Sequence, residues 1–230
     1  FFFNDTATTE IYIFPYTTLS DLDREPSPVD LALLDDRERA CVTRLRRRPD
    51  RARAVTGRAA LRRLLAVRLG VDPCTVRLTT GCWGKPRLDG EGPEFNLSHA
   101  GAWVHLAIGG RRGLGIDIES LAAIGAAESV APAVLSPGEL AAWAGLDGAR
   151  RQHLLARLWT SKEAVAKSIG LGLGADLRSL QLLGQDGGMV RQVVWDGVLP
   201  IALTGIPAAP GYVAALAVAG THDLPALRFC

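Results

Sequence analysis

The sequence predicts an α+β or α/β architecture in two similar halves. Two observations carry this. Stretches with helical spacing of apolar residues and stretches of strict alternation interleave twice along the chain. The two longest helical patterns, 51–69 and 150–169, fall one in each half. No low-complexity segment or short tandem repeat interrupts the pattern.

The first stretch, 1–19 (FFFNDTATTEIYIFPYTTL), is set aside. Asn4 to Tyr12 reads as the translation of a sequencing adapter, and Phe14 to Leu19 as its continuation in a shifted frame. A poorly anchored start is the expectation. The alternative is a strand, since Ile11, Tyr12, Ile13 and Phe14 have strand propensity. A signal peptide is excluded by the missing basic start and apolar core.

After the break at Pro26-Ser27-Pro28, a helix is expected over 31–45 with Leu33, Leu34, Cys41 and Leu45 to one side. Pro49 interrupts it. Arg51 to Leu69 is the clearest helix, closed by Gly70. A short strand follows at 76–78, then a glycine- and proline-rich loop, 81–94. Phe95 to Ser98 starts a strand or turn, Trp103 to Gly109 alternates as a strand, and Leu114 to Glu119 forms another. Ser136-Pro137-Gly138-Glu139 opens a short helix with a capping box. Arg150 to Ile169 is a long helix ending at Gly170. Strands are expected at 177–183, 189–194, 201–203 and 212–219. The division is thus 20–113 and 114–230.

The 230 residues, 48% hydrophobic and 22% charged with a formal net charge of +2, are ordinary for a soluble globular protein. Twelve arginines crowd 37–68, a block that suits phosphorylated ligands or nucleic acid unless it is a solvated helix face. Cys41, Cys74, Cys82 and Cys230 show neither CxxC pairing nor zinc spacing, which fits a reducing cytoplasm. No apolar run approaches the ~20 residues that cross a bilayer.

Four short elements carry chemistry. In Gly115-Ile116-Asp117-Ile118-Glu119 the two carboxylates share one face of a strand, and a hard cation such as Mg²⁺ relieves their repulsion. In the run from Trp159 to Lys167, Glu163 and Lys167 stack four apart on a helix. They could be a surface ion pair worth ~0.3–0.5 kcal/mol, or a third metal carboxylate with a phosphate-facing lysine. Arg157 and Lys162 add positive charge nearby. Ser98-His99 lacks the surroundings of a hydrolase nucleophile and better suits polar phosphate contacts; His105, His153 and His222 are taken as structural. Lys85, held in Gly84-Lys85-Pro86, suits a terminal phosphate or is a simple turn.

In this order, the segments WGKPRL, FNLSHAGAWV, GIDIES and LWTSKEAVAKSIGLGL, with the closing GYVAALAVA, resemble the 4′-phosphopantetheinyl transferase superfamily, in its larger, surfactin-synthetase-activating type. The resemblance spans 31–219. It implies a pseudo-dimer of two similar α/β halves with coenzyme A in the cleft between them. It further implies transfer of the phosphopantetheine arm to a serine of an acyl or peptidyl carrier protein, with release of 3′,5′-ADP. Carried over by position, Asp117, Glu119 and Glu163 hold Mg²⁺, and Glu163 is the candidate general base. Lys167 meets the attacked phosphate, Lys85 the 3′-phosphate, and Ser98, His99 and Arg53 the coenzyme A phosphates or nucleotide. Arg37 or Arg39 adds charge there. Two halves in one chain favour a monomer, with carrier contacts expected around 135–155. The N-terminal strand of the family is not recognisable. The competing readings are a metal-dependent phosphohydrolase and a phosphate- or nucleic-acid-binding module.

Overall fold

The computed structural model describes residues 10–17, 26–80, 85–172, 174–195, 197 and 200–230. In chain order, β1 is Glu10–Thr17, α1 Pro28–Leu33, α2 Asp36–Thr43, α3 Arg48–Leu69, β2 Leu78–Thr80 and β3 Pro86–Leu88. β4 is Phe95–Ala100, β5 Trp103–Ile108 and β6 Leu114–Ser120. The second half continues with α4 Leu121–Ala126, α5 Ala131–Val134, α6 Pro137–Ala144 and α7 Gly148–Ser168, then β7 Gln192–Val193, β8 Ile201–Ile206, β9 Tyr212–Ala219 and β10 Ala226–Phe229.

Two four-stranded sheets, ordered β10-β1-β5-β4 and β6-β9-β8-β7, make the body of an α+β fold. Strand alternation sorts each sheet into two buried faces. Val104, Leu106 and Ile108 of β5 pack under α3 with Leu61 and Leu65. Ala107 turns the other way and joins Ile11, Ile13, Ile116, Ile118 and Leu216 in a core shared by both sheets. On the far side, Leu203, Ala215 and Ala217 meet Leu158, Ala164 and Val165 of α7. The layers therefore run α3, sheet, sheet, α7. This is the pseudo-dimer expected from the motifs, with one long helix of 22 and one of 21 residues backing the two sheets.

The expectation of a poorly anchored start is corrected for 10–17. β1 lies inside its sheet, antiparallel to β5 and parallel to β10. Ile11, Ile13 and Phe14 are buried, the isoleucines in the shared core and Phe14 under α3. Its apolar residues on both faces suit a strand buried on both sides, and its backbone satisfies an edge that β5 would otherwise expose. The rest of the set-aside stretch lies outside the described residues.

β10, absent from the sequence reading, crosses back to the first sheet, so the 114–230 segment contributes a strand to the other half. The helix expected over 31–45 is broken at Asp35, which caps α2 through a reciprocal capping box with Glu38. Of the strand expected at 177–183, only the bridge Leu183 to Met189 forms; 177–179 is a 3-10 turn capped by Asp176.

Much of the arginine block stitches helices together. Arg62 is buried and donates to Asp35, Glu38 and the Val76 carbonyl. Arg63 pairs with Asp30, Arg51 donates to the Leu45 and Arg46 carbonyls, and Arg39 to that of Leu34. Arg37 is exposed. Cys41, Cys74 and Cys230 are free and exposed; Cys82 lies outside the described residues.

Candidate active site

The site forms where β4 and β6, the facing edges of the two sheets, meet beneath α7. Asn96 of β4 accepts a hydrogen bond from the Ile116 backbone N–H at 2.8 Å, tying β6 to the first half. Gly113 and Gly115 let α7 lie directly on β6. A Cβ at Gly115 would fall 2.0 Å from the Ala164 carbonyl oxygen and 2.6 Å from the Ser168 nitrogen. One at Gly113 would fall 2.2 Å from the Ser168 oxygen. Glycine on a strand here marks close backbone approach. With Ala164 and Ser168 seated on Gly115, Lys167 is carried over Asp117.

Asp117 is 3% exposed. Its Oδ1 accepts from Lys167 Nζ at 2.5 Å and from Ser98 Oγ at 2.7 Å, and Lys167 also donates to Ser98 Oγ at 3.3 Å. Its Oδ2 is buried with no hydrogen-bond partner. Glu119, two residues on along the same strand face, has its pKa pushed up to about 7, first by burial, then by Asp117; Glu163 adds to this while Lys167 opposes it. Burial likewise raises Glu163, with Lys167 opposing and Asp117 reinforcing. Asp117, Glu119, Glu163 and Lys167 thus share one electrostatic neighbourhood.

These residues fit a hard divalent cation by two observations: a buried carboxylate oxygen left without a donor, and two neighbouring glutamates whose proton affinity is raised by burial and by the Asp117 charge. Among the described residues no group of three acidic, histidine or cysteine side chains is yet assembled to hold an ion. Lys167 supplies the positive charge at Asp117 instead.

On the outer side of the same corner, Arg53 donates to the Gly101 carbonyl at 2.7 Å and pairs with Asp50. His99 is exposed, and crowding followed by the Arg53 charge lowers its pKa. Gly101 has φ +52°, and a Cβ there would lie 2.2 Å from Tyr212 Oη, so Tyr212 bridges the halves over this turn.

Two lysines make protein contacts that the sequence did not indicate. Lys85 Nζ donates to the carbonyls of Leu114 at 2.7 Å and Lys167 at 3.0 Å, with Glu94 at 3.9 Å. It fastens the end of α7 to the start of β6; its neighbours 81–84 lie outside the described residues. Lys162 adds no charge to the site, because it is fully buried on the opposite side of α7. There it pairs with buried Glu139 at 2.5 Å and donates to the carbonyls of Val134 and Leu177. Arg157 is exposed on the N-terminal half of α7. His105 is buried, with Nδ1 unpartnered and its pKa lowered to about 4 by desolvation.

The sequence reading missed Asn96 as a structural tie, and the two glycines as the seat of α7. Glycines two apart on a strand that carries acidic residues were the available signal for the latter.

Two family models match the chain: the 4′-phosphopantetheinyl transferase superfamily over residues 113–217, and the N-terminal part of 4′-phosphopantetheinyl transferase over 25–109. A protein of Synechocystis sp. is 32% identical over 169 residues, spanning 72% of this chain and 69% of its own. The 4′-phosphopantetheinyl transferase HetI of Nostoc sp. is 35% identical over 136 residues, 57% of each chain. The 4′-phosphopantetheinyl transferase of Bacillus subtilis is 27% identical over 193 residues, 84% of each. Among solved structures, a holo-(acyl-carrier-protein) synthase from Bacillus anthracis in complex with CoA (3′,5′-ADP) aligns over 46% of this chain and 94% of its own. The TM-score of that alignment is 0.39 and the identity 22%.

Proposed function

The chain belongs to the 4′-phosphopantetheinyl transferase superfamily and is a transferase of that kind; from this premise we propose how its own residues divide the work. The substrates are coenzyme A and an acyl or peptidyl carrier protein. The carrier's serine oxygen forms a bond to the β-phosphorus, the bond from that phosphorus to the bridging oxygen breaks, and 3′,5′-ADP departs. The observation that supports this best is the buried Asp117 held by Lys167 and Ser98 beside two carboxylates of raised proton affinity.

Glu163 takes the serine proton. Its raised pKa makes it a better base near neutral pH than an exposed glutamate would be. Lys167, anchored by Asp117, places its ammonium against the phosphate under attack and steadies the leaving side. Asp117, Glu119 and Glu163 would hold Mg²⁺. When bound, the ion neutralises the pyrophosphate and the charge growing on the leaving oxygen. Ser98, His99 and Arg53 line the nucleotide side. Lys85 fixes the α7–β6 joint through two carbonyls, and its remaining N–H is the donor proposed for the 3′-phosphate. With both halves in one chain, the working unit is a monomer.

The test is incubation with coenzyme A and an apo carrier protein, with and without chelator, followed by the mass of the carrier. The carrier gains a phosphopantetheine only with the metal present, and Asp117→Ala or Glu163→Ala abolishes the gain while leaving the fold. Hydrolysis of coenzyme A without any gain by the carrier would overturn the proposal in favour of a phosphohydrolase.

A further inference from the structure

A cavity of about 370 Å³ lies between the N-terminal half of α7 and the ends of β8 and β9. It exists because of small residues. Asp117, Ala215 and Gly205 line up across β6, β9 and β8, and paired residues share a face, so Gly205 leaves the α7 side of the sheet open. Leu203 and Val213 supply apolar wall, and Val213 is the cross-strand partner of Glu119, which sets the cavity directly beside the acidic cluster.

The rim is cationic. Arg157, Arg191 and His153 line it and are exposed, and no acidic side chain is among the lining residues. Arg62, Arg63 and Arg53, by contrast, are each matched to a carboxylate. Neither Arg157 nor Arg191 has a carboxylate partner among the described residues. Thr160, buried on the cavity wall, precedes Glu163 by three residues of the same helix. From Arg157 to Glu163 the helix advances by about 9 Å. A segment anchored at the rim could therefore deliver a hydroxyl to Glu163 within about three residues of extended chain.

We propose that this cavity docks the acceptor protein, taking an acidic segment next to the modified serine, with one apolar side chain in the cavity and its carboxylates on Arg157 and Arg191. The docking rests on the transferase reading above and adds where, and by what chemistry, the acceptor is held.

Two variants of the whole chain test it: the charge-reversed Arg157→Glu/Arg191→Glu, and Gly205→Leu, which fills the cavity. A Cβ at Gly205 meets nothing nearer than the Ala214 carbonyl at 3.8 Å, so the second change is sterically open at its base. Both should keep the wild-type circular dichroism and Tm. The charge reversal should raise KM for the carrier protein ~10-fold or more, flatten its salt dependence, and leave kcat and the coenzyme A KM within about twofold. Gly205→Leu should raise the carrier KM alone. An unchanged carrier KM would overturn the docking site, and so would a parallel rise in the coenzyme A KM, which would give the cavity to the coenzyme A arm. Calorimetric titration with apo carrier protein in the absence of coenzyme A keeps the two readings separate. Weaker carrier binding by the charge-reversed variant supports the docking site even if no transfer occurs, an outcome that would refute only the transferase reading.

Discussion

Removing a carboxylate from the active site should make the metal-free protein more stable. The residue is Glu119, whose pKa lies at about 7 against an ordinary 4.5. Burial is the main cause, and the Asp117 and Glu163 charges add to it against Lys167. A carboxyl group with a raised folded pKa stabilises the fold fully only below its unfolded value. Between pH 4.5 and about 7 the folded state retains a proton that the unfolded chain has given up, so stability falls as pH rises. At about 1.36 kcal/mol per tenfold change in proton affinity, the whole interval amounts to ~3 kcal/mol. Glu119 is only partly buried, so solvent screening brings the expected effect to ~2 kcal/mol.

Glu119→Gln removes that penalty and keeps the shape of the side chain. In chelator at pH 8, urea unfolding of the variant should show a midpoint above that of the wild type, and the two should converge near pH 4.5. Saturating Mg²⁺ should reverse the order, since an ion that binds only the folded wild type stabilises it by mass action. A variant no more stable than the wild type at pH 8 in chelator would refute the idea that these carboxylates are held together under mutual repulsion.

Three further changes probe the same corner. Lys167→Met leaves Asp117 without its cation and should cost ~3 kcal/mol at neutral pH, the low end for a broken buried pair because Lys167 is 28% exposed. Carbon-13 NMR should show Glu119 and Glu163 titrating still higher, and unchanged titrations would contradict the shared field. Gly115→Ala places a methyl 2.0 Å from the Ala164 carbonyl oxygen, so α7 must lift from β6. A drop of more than ~2 kcal/mol in urea unfolding is expected, whereas Gly205→Ala should be close to neutral. His105→Val should remove a contribution that falls as pH drops from 6.5 to about 4, where the unfolded chain takes up a proton that the buried imidazole refuses, so the variant should gain stability towards acid relative to the wild type. An unaltered acid slope would show that His105 is not the group responsible.

The chemistry of the site was legible because strand and helix periodicities are short-range facts. Asp117 and Glu119 share a face whatever the fold, as do Glu163 and Lys167. How these two pairs meet was not legible, since it depends on Gly113 and Gly115 admitting α7 and on Asn96 bridging the sheets. Lys162 and Lys85 show the limit in the other direction. Lys162 sits in a charged motif but is taken up by Glu139 in the core, and Lys85 holds two backbone carbonyls, contacts that only tertiary packing sets. The anchoring of 10–17 was not legible for a related reason. The strand propensity of Ile11 to Phe14 offered a strand at 10–17, but its place between β5 and β10 is a tertiary fact that propensity does not reveal. The weak strand at 189–194 belongs to the same class, because only Gln192 and Val193 find a partner in β8.

Glu119 and His105 act over the same pH interval with opposite sign, and they lie on either side of one hydrogen-bonded link. His105 is the cross-strand neighbour of Ser98, which donates to Asp117, which in turn raises Glu119. Acidification relieves the repulsion around Glu119 and at the same time penalises the buried imidazole. The two contributions largely offset each other between about pH 4.5 and 6.5, so together they add little slope to the stability of the wild type. Each single variant should expose the other's slope: Glu119→Gln loses stability towards acid, and His105→Val gains it. The double variant should return to the wild-type slope, because the two opposed contributions that cancel in the wild type are both removed.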